Sequence, residues 1–314
     1  MTLKNPNNNL RLAFAGSGPY AEPIFESLVE KFDNLTLITK KNEPLGQSVK
    51  TTKPTVKILA KSRNIPTFEI DGKSDLLKAV QKIKPDLVVV SSLGVIITEE
   101  TLKIPKYGFI NIHYSLLPTY RGTAPVQSTI LNGDKKTGFV IQKVMQGVDE
   151  GDILYQQSIS LDGSEDSVTL RNKLLNLASQ KIENVIIDYI QGKITPKKQD
   201  RAKATYSKII KKSDGLINWS ESAETIERKV RAYTPWPSTY TFWNGKMLKI
   251  LKAEVLNENS KEEPGIFLKI NQVYGIQTGK GILIVRKLQL EGKKAMTAEE
   301  FIRGYRNIVG SILG

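Results

Sequence analysis

The run Asp86–Ser91 (DLVVVS) constrains this chain most. Its apolar residues do not alternate with polar ones, so a strand formed there has no side to show to water. A strand covered on both faces belongs to a parallel sheet with helices above and below it. Leu10–Ala15 (LRLAFA) reads as a second such strand. It runs into Gly16-Ser17-Gly18, and a helix is expected over Tyr20–Lys31 with Pro23 in its first turn. Strand, glycine turn and helix in that order open a Rossmann-like unit. The G-x-G here lacks the third glycine of a dinucleotide fingerprint, and no acidic residue ends the next strand, Leu35–Thr39. A nucleotide-binding oxidoreductase is therefore disfavoured.

The rest of the first half keeps to strand–helix alternation. Helices are expected over Pro54–Arg63 and Ser74–Lys82, then strands over Phe109–Tyr114, Gly138–Met145 and Ile153–Ser160, with a helix over Ala124–Leu131 capped by Thr123. A long helix over Asp166–Gln191 follows. Leu170, Leu174, Leu177, Ile182, Val185 and Tyr189 recur along it at helical spacing, and Gly192 stops it. These elements make residues 1–192 an α/β domain with a mainly parallel sheet. At 314 residues the chain has room for a second domain. A basic linker, 193–212, leads to it. Lys193, Lys197, Lys198, Arg201, Lys203, Lys208, Lys211 and Lys212 stand there against Asp200 alone. Beyond it, residues 213–314 hold a helix over Glu221–Tyr233. Five short strands follow, over Thr239–Trp243, Leu248–Leu256, Gly265–Ile270, Val273–Gln277 and Gly281–Leu290. Five short strands between turn signals suggest a small barrel of OB-like type. A last helix over Ala298–Ile308 is capped by Thr297 with Glu300 three residues on. Trp219, Trp236 and Trp243 are expected in core and interface positions, and Arg303 and Arg306 lie one turn apart on the last helix.

Composition narrows the function. Cysteine is absent, which removes disulfides, thiolate nucleophiles and cysteine-ligated clusters, and a single histidine argues against a structural zinc site, so no metal is expected. No apolar run approaches the roughly 18 residues of a membrane helix. The N-terminus shows no targeting pattern. The chain is expected to be cytoplasmic, monomeric and without a membrane partner. The net charge of +14 points to a polyanionic partner, above all nucleic acid. Lys40–Lys53 is a long polar loop carrying Lys40, Lys41, Lys50 and Lys53 against Glu43, and loops of that length in compact domains are often functional.

The one histidine, His113, sits in Tyr107–Pro125 (YGFINIHYSLLPTYRGTAP), where an apolar strand gives way to a proline- and glycine-rich loop. Asn111 precedes it by two residues and so shares its face of the strand. Asp149 lies in the glycine-flanked segment 146–152, joining the next two strands at the same end of the sheet. A carboxylate beside an imidazole holds its orientation and raises its pKa. An amide and an imidazolium together can stabilise a developing oxyanion. With no cysteine to serve as a nucleophile, the constellation fits direct transfer of an acyl-type group better than a covalent intermediate.

Asn111-x-His113-x-Ser115-Leu116-Leu117-Pro118, followed by Tyr120-Arg121-Gly122 and Ala124-Pro125, resembles the formyltetrahydrofolate-dependent formyltransferases. Gly147-Val148-Asp149-x-Gly151-Asp152 resembles that family's second motif. The segments Lys203–Lys208, Asn218-Trp219-Ser220, Arg231-Ala232-Tyr233, Pro235-Trp236-Pro237 and Gly292–Met296 are similar to the linker and C-terminal domain of the members that act on methionyl-tRNA. The resemblance implies a Rossmann-like formyltransferase domain followed by a small OB-like β-barrel domain. It also implies transfer of formyl from 10-formyltetrahydrofolate to the amino group of initiator methionyl-tRNA, with no metal. A different amine, on a nucleotide-linked amino sugar or glycinamide ribonucleotide, is the alternative acceptor. On this resemblance Asn111 and His113 bind the formyl oxygen, and Asp149 orients His113 and helps move the amine proton. Ser115, Leu116, Leu117 and Pro118 with Leu93, Gly94 and Val95 hold the folate. Lys40, Lys41, Lys50, Lys53, Lys208, Lys211 and Lys212 meet the tRNA. The chain departs from the family at Asn42-Glu43-Pro44 and Gly46-Gln47-Ser48, where arginines are usual. Lys50 and Lys53 would supply point charges there rather than bidentate forks.

Overall fold

The structure, a computed structural model, describes residues 10–41 and 55–314. In chain order it has β1 (Leu12–Gly16), α1 (Glu22–Val29), β2 (Leu35–Lys40), α2 (Thr55–Ser62), β3 (Thr67–Ile70), α3 (Lys73–Ile83), β4 (Leu87–Ser91), α4 (Glu99–Leu102), β5 (Phe109–His113), α5 (Pro125–Leu131), β6 (Lys136–Lys143), β7 (Ile153–Ser160) and α6 (Ser167–Ile190). There follow α7 (Ala223–Ala232), β8 (Thr239–Trp243), β9 (Lys246–Leu256), β10 (Phe267–Ile270), β11 (Val273–Gln277), β12 (Ile282–Leu290), β13 (Met296–Thr297) and α8 (Ala298–Gly304). Two compact units emerge. The first takes the described residues up to Gly122, with Gly138–Ile159 and Asn172–Tyr206; the second takes Thr123–Thr137, Ser160–Arg171 and Ser207–Gly314.

The first unit is built on a seven-stranded sheet in the order β3-β2-β1-β4-β5-β6-β7. The pairs from β3 to β5 are parallel, and β6 runs antiparallel to β5. Every residue of β1 and β4 is buried, as their unbroken apolar runs require. Their side chains divide by alternation between two cores. Leu12, Phe14, Leu87, Val89, Ile110 and Ile112 face one way and pack with Ile24, Phe25 and Leu28 of α1 and Leu175, Ile182 and Ile186 of α6. Ala13, Ala15, Val88, Val90 and Phe109 face the other way and pack with Leu76, Ala79 and Val80 of α3. The first turn is closed by protein atoms: the Ser17 hydroxyl bonds Thr39 Oγ1 and accepts the Lys40 amide, both at 2.9 Å. A Cβ on Gly16 would lie 2.6 Å from the Ser91 carbonyl oxygen, so that backbone approach admits only glycine.

Two local expectations are corrected. Strand β3 has no counterpart in the sequence reading; it is a four-residue edge strand with only Ile70 buried, too short and too polar to show a pattern. Thr123 does not cap α5. The N-cap position is Ala124, with no side-chain cap bond, and its amide donates to Ser207 Oγ at 3.1 Å. Helix α6 agrees closely with expectation, and Gly192 turns the chain beyond it at φ +73°.

The second unit carries an antiparallel sheet in the order β10-β11-β12-β9-β8, with β13 paired to β12. All five expected strands are present. Trp219 and Trp243 join Phe267, Leu248 and Phe301 in its core. Trp236 does not: it is 58% exposed, between two prolines that keep its segment out of any strand. The expected capping box forms at α8. Thr297 Oγ1 accepts the Glu300 amide, and the Glu300 carboxylate accepts the Thr297 amide.

Candidate active site

His113 ends β5 where the strand leaves the sheet, and Asn111 lies on the same face two residues earlier. The ladder to β6 sets Asn111 opposite Gln142 and His113 opposite Val140. The His113 ring is 4% exposed. Its Nε2 donates to the Tyr120 carbonyl at 2.9 Å, and its Nδ1 lies 3.4 Å from Asp149 Oδ2. A carbonyl only accepts, so Nε2 carries a hydrogen. In the neutral ring Nδ1 is then the basic nitrogen, and it faces the carboxylate. Burial pushes the imidazole below its ordinary value, while Asp149 and the Tyr120 carbonyl act the other way. A neutral base with a carboxylate behind it can take a proton and have the resulting charge stabilised. At 3.4 Å the contact with Asp149 is longer than a formed N–H···O bond, consistent with an Nδ1 that carries no hydrogen.

Asp149 is held at both oxygens. Gln142 Nε2 donates to Oδ1 at 2.8 Å, and the Gly122 amide donates to Oδ2 at 2.9 Å. Its backbone is left-handed, at φ +52°. Gly151 lets this loop lie flat against β6, since a Cβ there would stand 1.6 Å from the Lys143 carbonyl oxygen. The sequence therefore places Asp149 correctly at the end of β5. Four contributors were not read from it: Tyr120, Arg121, Gln142 and Gln199. Gln142 had a signal, being a polar residue inside the buried run Phe139–Gln142 in register with Asn111. Arg121 is 2% exposed. Its guanidinium meets Gln199 Oε1 at 3.2 and 2.9 Å and Glu150 Oε1 at 3.2 Å, which offsets the cost of burying the charge.

Beside these residues opens a cavity of about 230 Å³. Val90, Val95, Ile96, Ile97, Val144, Met145 and Val148 give it apolar walls, and Asn111, Gln142 and Asp149 give it polar ones. Ile96, Met145 and Val148 are largely exposed and together form an apolar rim to the cavity. An apolar slot with a few convergent polar groups suits a flat heterocycle. Of the residues expected to hold folate, Val95 lines this cavity; Leu93, Gly94 and Ser115–Pro118 are not among its lining residues. Ser115 is buried and donates to the Thr119 carbonyl at 2.6 Å, Leu117 is buried, and Leu116 packs against Gly138. The Pro118 carbonyl accepts the Thr205 amide. Among the described residues no group of three histidine, cysteine or acidic side chains could hold a metal ion.

The expected tRNA lysines divide. The Lys40 ammonium lies over Gly94, 3.3 Å from where a Cβ would stand. Lys41 is exposed and ion-paired with Asp71. Lys208, Lys211 and Lys212 are exposed. Lys50 and Lys53, with Asn42–Pro44 and Gly46–Ser48, lie outside the described residues.

A strand-end histidine paired to a carboxylate beside an apolar cavity is a candidate reacting centre on this fold. The sequence pattern described as "Formyl transferase" matches residues 10–186, and "Formyl transferase, C-terminal domain" matches residues 209–306; the chain belongs to the formyl transferase family. It is 35% identical over 308 residues to the methionyl-tRNA formyltransferase of Caldanaerobacter subterraneus subsp. tengcongensis, an alignment covering 97% of this chain and 100% of that one. Among solved structures it resembles methionyl-tRNA formyltransferase from Clostridium thermocellum, with a TM-score of 0.56 and 19% identity over 88% of this chain and 99% of that one. It also resembles HypX from Aquifex aeolicus in complex with tetrahydrofolic acid, with a TM-score of 0.64 and 16% identity over 96% of this chain and 48% of that one. At such identities the structural likenesses establish the fold.

Proposed function

We propose that this protein transfers the formyl group of 10-formyltetrahydrofolate to the amino group of initiator methionyl-tRNA, giving N-formylmethionyl-tRNA for translation initiation in the cytoplasm. The observation that carries the proposal is the convergence of Asn111, His113 and Asp149 beside an apolar cavity at the end of β5. Relatives named for that activity, matching along the whole length of this chain, support the choice of acceptor.

The amine nitrogen attacks the formyl carbon, and negative charge develops on the formyl oxygen. Asn111 donates to that oxygen. The two nitrogens of His113 are engaged by the Tyr120 carbonyl and by Asp149, so the ring serves as the base rather than as a second donor. The proton leaving the amine passes through the His113–Asp149 pair to the departing folate nitrogen as its bond to the formyl carbon breaks. The apolar walls from Val95 to Ile97 and Val144 to Val148 take the folate ring. Lys40, Lys41, Lys50 and Lys53 meet the acceptor end of the tRNA, and Lys208, Lys211 and Lys212 meet its phosphates. Formylation of charged initiator tRNA in the presence of 10-formyltetrahydrofolate tests this. Formylation of an amino-sugar nucleotide, glycinamide ribonucleotide or free methionine, with methionyl-tRNA left unmodified, would overturn it.

A further inference from the structure

Gln199 lies in the basic segment beyond α6, away from either sequence motif, yet its side-chain amide touches both loops of the candidate site. Its Oε1 accepts two bonds from the buried Arg121 guanidinium, from Nε at 3.2 Å and from Nη2 at 2.9 Å. Its Nε2 donates to the Asp149 and Gly151 carbonyls, each at 2.8 Å, with Gln142 Oε1 at 3.3 Å. Arg121 stands between Tyr120, whose carbonyl holds His113 Nε2, and Gly122, whose amide holds Asp149 Oδ2. Gln142 is the donor to Asp149 Oδ1. One amide thus ties the loop holding the histidine to the loop bearing its carboxylate. The Asp149 backbone needs that tie, because a left-handed non-glycine residue persists only where its surroundings impose it. The neighbouring chain is fixed to the same place: Tyr120 N donates to Thr205 Oγ1 and Arg121 N to the Thr205 carbonyl, both at 2.9 Å.

We infer that Gln199 is a positioning residue, setting the separation and orientation of the His113–Asp149 pair through the backbone of Asp149 and the guanidinium of Arg121. The inference deepens the formyl-transfer reading and rests on it for its kinetic consequence. An amide is required rather than a side chain of similar size. It must accept from a cation on one side and donate to two carbonyls on the other, which only Gln or Asn can do, and Asn is one methylene shorter.

Two variants separate the functions. Gln199→Met keeps the length and loses both. Gln199→Glu keeps the acceptor for Arg121 and sets carboxylate oxygens against the Asp149 and Gly151 carbonyls. Both are expected to lower kcat about 10²-fold, the scale of a misplaced catalytic group, with KM for each substrate changed by less than about twofold. His113 is the only histidine, so its ring resonances report its titration by NMR with no substrate present. The charged groups along the network are Asp149 at Nδ1, then Arg121 and Glu150. Burial lowers the ring's midpoint and Asp149 raises it, and a displaced Asp149 loop alters both, so the His113 midpoint is expected to move away from its wild-type value in both variants. A midpoint that stays at the wild-type value in either variant, or a kcat that stays, overturns the inference. A wild-type protein that formylates nothing would instead overturn the functional reading, while the substrate-free titration would still decide the role of Gln199.

Discussion

His113 is buried, hydrogen-bonded through Nε2 and faced by a carboxylate through Nδ1, and each condition carries a consequence. Removing the ring removes the proton acceptor that faces Asp149. His113→Ala is expected to lower kcat by roughly 10²–10⁴-fold in the formylation assay and to leave tRNA affinity nearly unchanged. Near wild-type turnover would exclude the ring from the chemistry. Burial also links the residue to stability. The folded-state pKa of His113 is depressed, so below the ordinary histidine value the unfolded chain binds a proton that the folded chain refuses. The stabilisation is present above about pH 6.5 and is lost as pH falls toward the folded value, at up to about 1.4 kcal/mol per pH unit for one proton. Urea denaturation between pH 5 and pH 7 should show this slope in the wild type and a shallower one in His113→Gln. Equal slopes would mean that the ring titrates alike in both states.

Among elements, the segment joining β6 to β7 controls the site more than either strand does. It carries Asp149 in a left-handed conformation and brings Gly151 against the Lys143 carbonyl. A methyl group at Gly151 has no room beside backbone atoms, which cannot turn aside as a side chain can. Gly151→Ala is expected to cost roughly 1–3 kcal/mol in overpacking, read by denaturant unfolding. It should lower kcat about 10²-fold by moving Asp149. A kcat equal to wild type would show that the loop re-forms its hydrogen bonds with the methyl present. The 193–206 segment behaves as part of the first unit. Lys197 bridges to Ile153, Tyr206 bridges to Arg121, and Gln199 reaches the Asp149 loop. Its basic side chains point outward while its backbone and one amide brace the site.

Across the whole molecule, a net charge of +14 sets how a polyanion is met. Lys208, Lys211 and Lys212 are exposed, and no acidic side chain is ion-paired with them among the described salt bridges. If they meet phosphates, replacing all three by alanine weakens tRNA binding and lowers the slope of log affinity against log salt by about one for each phosphate no longer neutralised. An unchanged slope in a filter-binding titration would return them to the role of solvated surface. Lys41, paired with Asp71, should contribute less than its charge suggests, because binding a phosphate there breaks an existing pair.

The sequence by itself determined the sheet and the shared face of Asn111 and His113. Unbroken apolar runs at β1 and β4 require burial on both faces, and the two-residue spacing of Asn111 and His113 on a strand requires a shared face. It also determined the cap of α8 and the five strands of the second unit, because turn and cap chemistry is local. Tertiary structure alone decided what holds His113 and Asp149 in place. Arg121, Gln142 and Gln199 lie far apart in the chain, and their roles come from register and from loops packed against loops, which no local pattern encodes. It also decided that Ser115 and Leu117 are buried while Ile96, Met145 and Val148 stand exposed around the cavity. Beyond the end of a strand, the backbone turn sets the direction of each side chain, and the alternation that makes a strand legible stops with His113.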